Sequence, residues 1–186
     1  GWLPQFLVKR KNLARALMKF DGIYVETNTM KKVLEEQGFC NVFVMPNCKK
    51  LNILSEDGLV YPKGIPYKLC TFSRVMKEKG IEDAVQAVVS VNKKMGYQAF
   101  SLDIYGQIDT EQTEWFAHLK ESFPDYVRYG GLVPFDKSVE VLKNYFALLF
   151  PTYYDGEGFA GTLIDAFSAG VPVIASDWKY NAEIVN

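Results

Sequence analysis

The sequence is poor in the residues that cross-link a chain or coordinate a metal. Three cysteines (Cys40, Cys48 and Cys70) and one histidine (His118) occur in 186 residues. No two cysteines have the Cys-x-x-Cys spacing, so neither a disulfide framework nor a zinc site is expected, and a reducing compartment fits best. No apolar run approaches the ~18 residues of a membrane span. Neither sign of charge dominates: 21 Lys and Arg stand against 22 Asp and Glu, for a net charge of −1. Nothing global therefore points to a nucleic-acid partner. Internal repeats and low-complexity tracts are also absent. The opening GWLPQFLVKRK puts its charge after its apolar part and lacks a cleavage site, unlike a signal peptide. With no initial Met, the expectation is a piece of a longer protein. What the chain does have is apolar mass, 48% hydrophobic and 15% aromatic. That suffices for one generous domain, or one domain plus part of another, and is the reverse of a disordered composition.

Residues 1–50 read helix, strand, helix, strand. Leu13, Leu17 and Phe20 recur at helical spacing, and GIYVE is a short β-rich run. NTMKKVLEEQGF puts Met30, Val33 and Leu34 on one face, with Asn28 or Thr29 as cap and Gly38 as terminator, before the strand NVFVMPN. Residues 51–66 carry Gly58, Pro62, Gly64 and Pro66 without periodicity and read as a linker. From Tyr67 the pattern is regular. YKLCTFS is a strand, with Cys70 in the core, followed by a helix over Gly80–Met95 with Ile81, Ala84, Val85, Val88, Val91 and Met95 inward. AFSLDIYG is a strand with Phe100, Leu102 and Ile104 on one face. A helix with Trp115, Phe116 and Leu119, the strand YVRY, a helix around Val139 and Leu142, and the strand FALLF come next. A loop, a helix over Leu163–Ala169 and the strand VPVIA complete the series. Such alternation predicts an α/β fold: a Rossmann-like parallel sheet with flanking helices and right-handed crossovers.

Sheets of this kind bind ligands where strands end and helices begin. Arg74 and Lys79 follow the Tyr67 strand. Gly106, Gly130 and Gly131 follow the next two strands, where a ligand can approach the backbone. After FALLF comes YYDGEGFAGT, which opens a helix whose N–H groups at residues 159–162 are expected to face outward. With the helix dipole they suit an anion, and the two cations make a diphosphate a better match than a carboxylate. Asp165, one turn into the helix, has the chemistry to accept bonds from a diol such as a ribose, and Glu157 from sugar hydroxyls. Together they describe a nucleotide sugar. Plainer readings stand beside these: Glu157 as a solvated loop acid, Asp165 as a helix-dipole partner, and Arg74 with Lys79 as a surface pair. Gly130 and Gly131 read equally as turn formers, Asp155 is a turn residue, and His118 is expected on a helix surface with no role.

FSRVMKEKGIEDAVQA, PTYYDGEGFAGTLIDAFSAGVPVIASD and NVFVMPNC together resemble the retaining, GT-B-fold glycosyltransferases of family 4 (glycosyl transferases group 1). The family signature is Glu, seven residues, Glu; here it reads Glu157, seven residues, Asp165, with Phe159-Ala160-Gly161 in place of Phe-Gly-Leu. The resemblance spans roughly residues 20–186. It implies that Arg74 and Lys79 meet the donor diphosphate and that Glu157, as the catalytic residue, faces the donor sugar. Asp165 would take the ribose hydroxyls, and the backbone around Ala160, Gly161 and Thr162 the phosphate. Gly106 would line the donor site, with Leu132 and Val133 at the base-binding strand end. By the same resemblance, residues 1–50 are the last part of an acceptor-binding N-terminal domain and 51–66 the linker. Residues 67–186 are the nucleotide-sugar-binding domain, stopping at NAEIVN before the family's closing strand and helices.

The implied reaction moves a sugar from a UDP- or GDP-type donor to an acceptor hydroxyl with retention, in polysaccharide or glycolipid synthesis, without a metal or separate cofactor. This chain alone is expected to be inactive, because most of the acceptor side is missing. The acceptor would be a sugar or a lipid-linked sugar, and the place of action cytoplasmic. Lys9, Arg10, Lys11, Arg15 and Lys19, with no acid before Asp21, read either as an ordinary helix or as a basic amphipathic helix on an anionic membrane at the inner face. Two other readings remain: a sugar-nucleotide epimerase or dehydrogenase, though no GxGxxG follows a first strand, and a non-catalytic nucleotide-binding module.

Overall fold

A computed structural model describes residues 2–50 and 53–185. In chain order the elements are α1 (Leu3–Val8), α2 (Lys11–Leu17), β1 (Ile23–Val25), α3 (Asn28–Glu36), β2 (Val42–Val44), β3 (Tyr67–Phe72), α4 (Ile81–Met95), β4 (Phe100–Tyr105), α5 (Thr113–Glu121), β5 (Val127–Gly131), α6 (Ser138–Leu142), β6 (Ala147–Phe150), α7 (Gly161–Ser168), β7 (Val173–Ala175) and α8 (Asn181–Ile184). They form two compact units. The first holds Gly1–Cys48, Tyr154–Gly161 and Asp177–Asn186, and the second Lys49–Tyr153 and Thr162–Ser176.

In the first unit, β1 and β2 pair in parallel with Ile23 opposite Val42, and α3 makes the crossover. Leu7, Val25, Met30, Leu34, Phe39, Val42 and Tyr180 form its core. The basic run that reads as one helix is two. Arg10, at φ −131° and ψ 63°, breaks it, and its guanidinium lies 4.4 Å from the Phe6 ring centroid. A continuous helix rises about 1.5 Å per residue and would carry Leu17 about 15 Å from Leu7; the break lets Leu7, Ala14 and Leu17 join one cluster. Phe20 lies outside both helices and is exposed. The cap of α3 also differs by one position. Thr27, extended and buried, accepts from the Met30 N–H at 3.2 Å, while Asn28 and Thr29 donate to Glu183. Gly38, at φ +91°, ends the helix as its pattern predicts.

The second unit is a five-stranded, all-parallel sheet in the order β5-β4-β3-β6-β7. Strand side chains alternate between two cores because successive residues point to opposite faces. Leu69, Leu102, Ile104, Val127 and Ala147 pack with α4 and with Phe116 of α5. Cys70 and Leu148 face the other way, against Val139 and Leu142 of α6 and Ala166 of α7. Burial pushes the Cys70 thiol well up, with Asp103 adding to it. Along α4, Ile81, Ala84, Val85 and Val88 are buried as expected, but Val91 and Met95 are exposed and Asn92 takes the inward place. Asn92 accepts from the N–H groups of Ala99 and Phe100 and donates to the Phe100 carbonyl, each at 2.9 Å, tying the end of α4 to the start of β4. His118 sits on the surface of α5 beside Glu121.

Candidate functional site

The strand order reverses direction between β3 and β6, and the residues that follow these two strands meet at the sheet's carboxyl edge, where open parallel sheets bind ligands. The turn over Lys77–Lys79 is fastened there: the Glu78 carbonyl accepts from Tyr153 N–H at 2.8 Å and from Thr152 Oγ1 at 3.3 Å. Gly80 permits that approach, since a Cβ would lie 2.1 Å from the Pro151 carbonyl oxygen. Gly106, at the end of β4 with φ +137°, is equally constrained, because a Cβ would lie 1.7 Å from the Ser73 carbonyl oxygen.

The cations are placed differently. Arg74 follows β3 with its side chain 60% exposed, 3.6 Å from the Asp109 carboxylate. Lys79 is half-buried, its ammonium 5.9 Å from the Phe150 ring centroid. Two helices start at this edge beside them. The first turn of α4 already carries Glu82 and Asp83, which complement its dipole. The first turn of α7 has no acid, so its amides retain their capacity for an anion. Thr162 Oγ1, in that turn, is buried without a hydrogen-bond partner. Nearby, the Tyr153 hydroxyl is pushed up, first by burial and then by the carboxylates of Asp83, Glu78 and Glu82.

Asp165, one turn further along α7, is 2% exposed. Its Oδ2 lies 2.6 Å from the Lys49 ammonium, and its Oδ1 accepts from the Ser138 hydroxyl at 2.9 Å. Lys49 and Ser138 carry no signal of their own in the sequence, being 116 and 27 residues from Asp165. After β5, Leu132 is exposed, Val133 is half-buried, and Phe135 is 86% exposed. Along the carboxyl edge of the second unit, Arg74, Lys79, Gly106, Leu132 and Val133 follow strands, and Thr162 and Asp165 lie in the first turns of α7.

Glu157, Phe159, Ala160 and Gly161 belong to the first unit. There Glu157 is buried, and its N–H donates to the Tyr154 carbonyl at 3.1 Å. The expected outward N–H at Phe159 is already engaged: it donates to Glu26 Oε2 at 2.8 Å, and the Phe159 carbonyl accepts from Asn47 Nδ2 at 2.9 Å. The exposed Asp155 pairs with Lys179 at 3.2 Å. Among the described residues no group of His, Cys, Asp and Glu could hold a metal ion, and no helix is long and apolar enough to cross a membrane.

Toward the amino ends of β3–β5 lies a polar cavity of about 230 Å³, lined by Lys68, Gln98, Ser101, Asp103, Asp125, Tyr126 and Arg128. The buried Asp103 at its wall takes two bonds from Arg128 and one from the Tyr145 hydroxyl. It is a structural carboxylate.

The comparisons bear on the fold and the family. The GtfA subunit of the UDP-N-acetylglucosamine–peptide N-acetylglucosaminyltransferase of Streptococcus gordonii is 31% identical over 165 residues, covering 87% of this chain and 31% of its own length. The pneumococcal O-GlcNAc transferase GtfA, solved with UDP and GlcNAc, superposes with a TM-score of 0.71 at 27% identity, over 93% of this chain and 33% of that one. TarM of S. aureus shares the fold, with a TM-score of 0.68 at 23% identity over 91% of this chain and 32% of its own. The chain therefore spans about a third of the length of the relatives it matches. Residues 66–186 match the family described as "Glycosyl transferases group 1", with a five-stranded parallel sheet and flanking helices as in GT-B proteins. The chain belongs to the glycosyl transferases group 1 family.

Proposed function

We propose that this chain is the donor-binding part of a retaining glycosyltransferase that moves a sugar from a UDP-type nucleotide sugar to an acceptor hydroxyl. The observation that carries the reading is the carboxyl edge at the β3/β6 reversal. There two cations follow β3, and α7 begins with an acid-free turn holding an unpartnered, buried hydroxyl. Arg74, Lys79 and the first turn of α7 hold the diphosphate and stabilise its charge as it leaves, an electrostatic preorganisation that needs no metal. Gly106 lets the ligand approach the backbone. Leu132 and Val133, with the exposed Phe135, offer the base an apolar platform. Asp165 serves the ribose. Glu157 serves the sugar, and the backbone of Ala160, Gly161 and Thr162 serves the phosphate.

A UDP-N-acetylglucosamine donor is supported by the name of the S. gordonii relative. On this reading residues 1–50 end an acceptor-binding domain, 51–66 link it to the donor domain, and 67–186 form most of the latter. The acceptor is the sugar or lipid-linked sugar of polysaccharide or glycolipid synthesis; a peptide, as in that relative's name, is the other arm of an acceptor screen. Lys9, Arg10, Lys11, Arg15 and Lys19 share α1, α2 and their flanks with the exposed Trp2, Val8 and Phe20. That surface supports a cytoplasmic protein touching an anionic membrane.

The test is Glu157→Gln in the full-length protein with UDP-N-acetylglucosamine. Turnover at saturating donor should fall far more than nucleotide affinity does. Unchanged turnover would refute the assignment of Glu157, and a full-length protein that binds neither UDP nor GDP would refute the donor site itself.

A further inference from the structure

The Asp165 carboxylate, which serves the ribose in the reading above, carries a cationic partner more exposed than itself. The Asp165 side chain is 3% exposed and the Lys49 side chain 34%. The lysine is therefore the solvent-accessible member of the pair. It uses one of its three donors on Asp165 Oδ2, and among the described residues it has no other partner. Ser138 holds the second carboxylate oxygen from the start of α6, which fixes the plane of the acid. Further along the chain, Leu54 N–H donates to the Ser168 carbonyl at the end of α7 at 3.1 Å.

We infer that Lys49 is a donor-site residue: its ammonium, anchored by Asp165 and Ser138, donates hydrogen bonds to the ribose hydroxyl oxygens of the nucleotide. The inference rests on the donor-site reading above and adds a residue and a polarity to it. A hydroxyl both donates and accepts, so a lysine can serve where a bare carboxylate otherwise would. The chemistry also gives the short acid a reason. Asp165 is one methylene shorter than a glutamate, and an ammonium 2.6 Å beyond its oxygen restores the reach. A buried carboxylate also needs a cation, since an unpaired charge in that place is strongly disfavoured. Lys49 and Asp165 then act as one unit.

The experiment compares UDP with 2′,3′-dideoxyuridine 5′-diphosphate, by calorimetry, on the full-length protein and its variants. Lys49→Met should weaken UDP at least about tenfold, the loss of one charge-assisted hydrogen bond. It should leave the dideoxy analogue within about twofold, because that ligand has no hydroxyls to hold. Lys49→Arg should keep most of the UDP affinity. The double variant Lys49→Met/Asp165→Asn removes both charges together, so it carries the same comparison if the single variant fails to fold. Its UDP loss should be no greater than that of the single variant, as for residues that act as a unit. Unchanged UDP binding in a folded Lys49 variant, or an equal loss for both ligands, overturns the role of Lys49 and leaves the donor site standing. Wild-type protein that binds neither UDP nor GDP overturns both.

Discussion

Replacing Arg74 with alanine separates the anion from the nucleoside. The guanidinium stands after β3 with its side chain 60% exposed, paired at 3.6 Å with Asp109. A charge-assisted hydrogen bond to a diphosphate contributes about 1.5–3 kcal/mol. Engaging the ligand loosens the Asp109 pair, which at this exposure is worth at most about 1 kcal/mol. The net loss in Arg74→Ala is therefore about 0.5–3 kcal/mol, or roughly two- to 150-fold in the UDP dissociation constant. Uridine, which carries no phosphate, should change less than about twofold. Asp109→Asn supplies the opposite sign: it frees the guanidinium and should tighten UDP by up to about fivefold, the value of the lost pair. Titration calorimetry of the full-length protein with UDP and uridine, at fixed low salt, reads all four numbers. Equal losses for UDP and uridine in Arg74→Ala would show that Arg74 does not meet the diphosphate. A weaker UDP complex in Asp109→Asn would show that the acid positions Arg74 rather than competing for it.

Three further outcomes follow from the packing. Asn92→Ala leaves two N–H groups and a carbonyl without their side-chain partner and should lower stability by about 2–3 kcal/mol in urea denaturation, whereas Val91→Ala, at an exposed position, should cost less than about 1 kcal/mol; equal costs would show that the Asn92 bonds carry no weight. Gly106→Ala should lose more than about 3 kcal/mol or fail to fold, because the added Cβ would sit 1.7 Å from backbone at a φ of +137°; a Tm within a few degrees of wild type contradicts that geometry. Burial tends to raise the Glu183 carboxyl, but bonds from Thr29 and Asn28 at the start of α3 outweigh it and hold the group below its ordinary range. A depressed folded value stabilises above the unfolded one and is lost as pH falls through it. Glu183→Gln should therefore cost about 1 kcal/mol near pH 7, discounted for its exposure, with the gap closing toward pH 3; a gap that widens in acid would reverse the argument.

Much of the fold was legible because its signals are local. Leu102 and Ile104 alternate, and Ile81, Ala84, Val85 and Val88 recur at helical spacing, so strand and helix declared themselves. Asn92 was legible in principle: it continues that stripe four residues after Val88, and a polar residue on an apolar face asks for a partner. Val91 misleads because it is apolar at the margin of the stripe, and Met95 because it lies on the stripe but at the last residue of the helix, where it is exposed. The edge residues Arg74, Lys79 and Gly106 follow strands and could be read in order. Lys49 could not, since its partner lies 116 residues away and a pair of lysines before a Pro- and Gly-rich stretch carries no period. Glu26 capturing Phe159 N–H across 133 residues, and Glu183 closing α3 across 155, escape for the same reason: a carboxylate announces charge but not destination. The break at Arg10 escapes because three successive basic residues suit a helix as well as a turn.

The central strand also sets a timetable for synthesis. β3 pairs with β4 on one side and β6 on the other, with Leu69 beside both Leu102 and Ala147. On a ribosome the first partner is translated 33 residues after Leu69 (102 − 69) and the second 78 residues after it (147 − 69). At about 5–20 residues per second, one edge of the strand waits on the order of 4–16 s for its neighbour. Until then Leu69 and Cys70 belong to an open, apolar β-edge of the kind that recruits other chains. The α7 turn is translated later still, so the nascent chain passes through its most aggregation-exposed interval before it can hold a nucleotide. Slowing translation between residues 105 and 147 should therefore lower the soluble yield without changing the folded product.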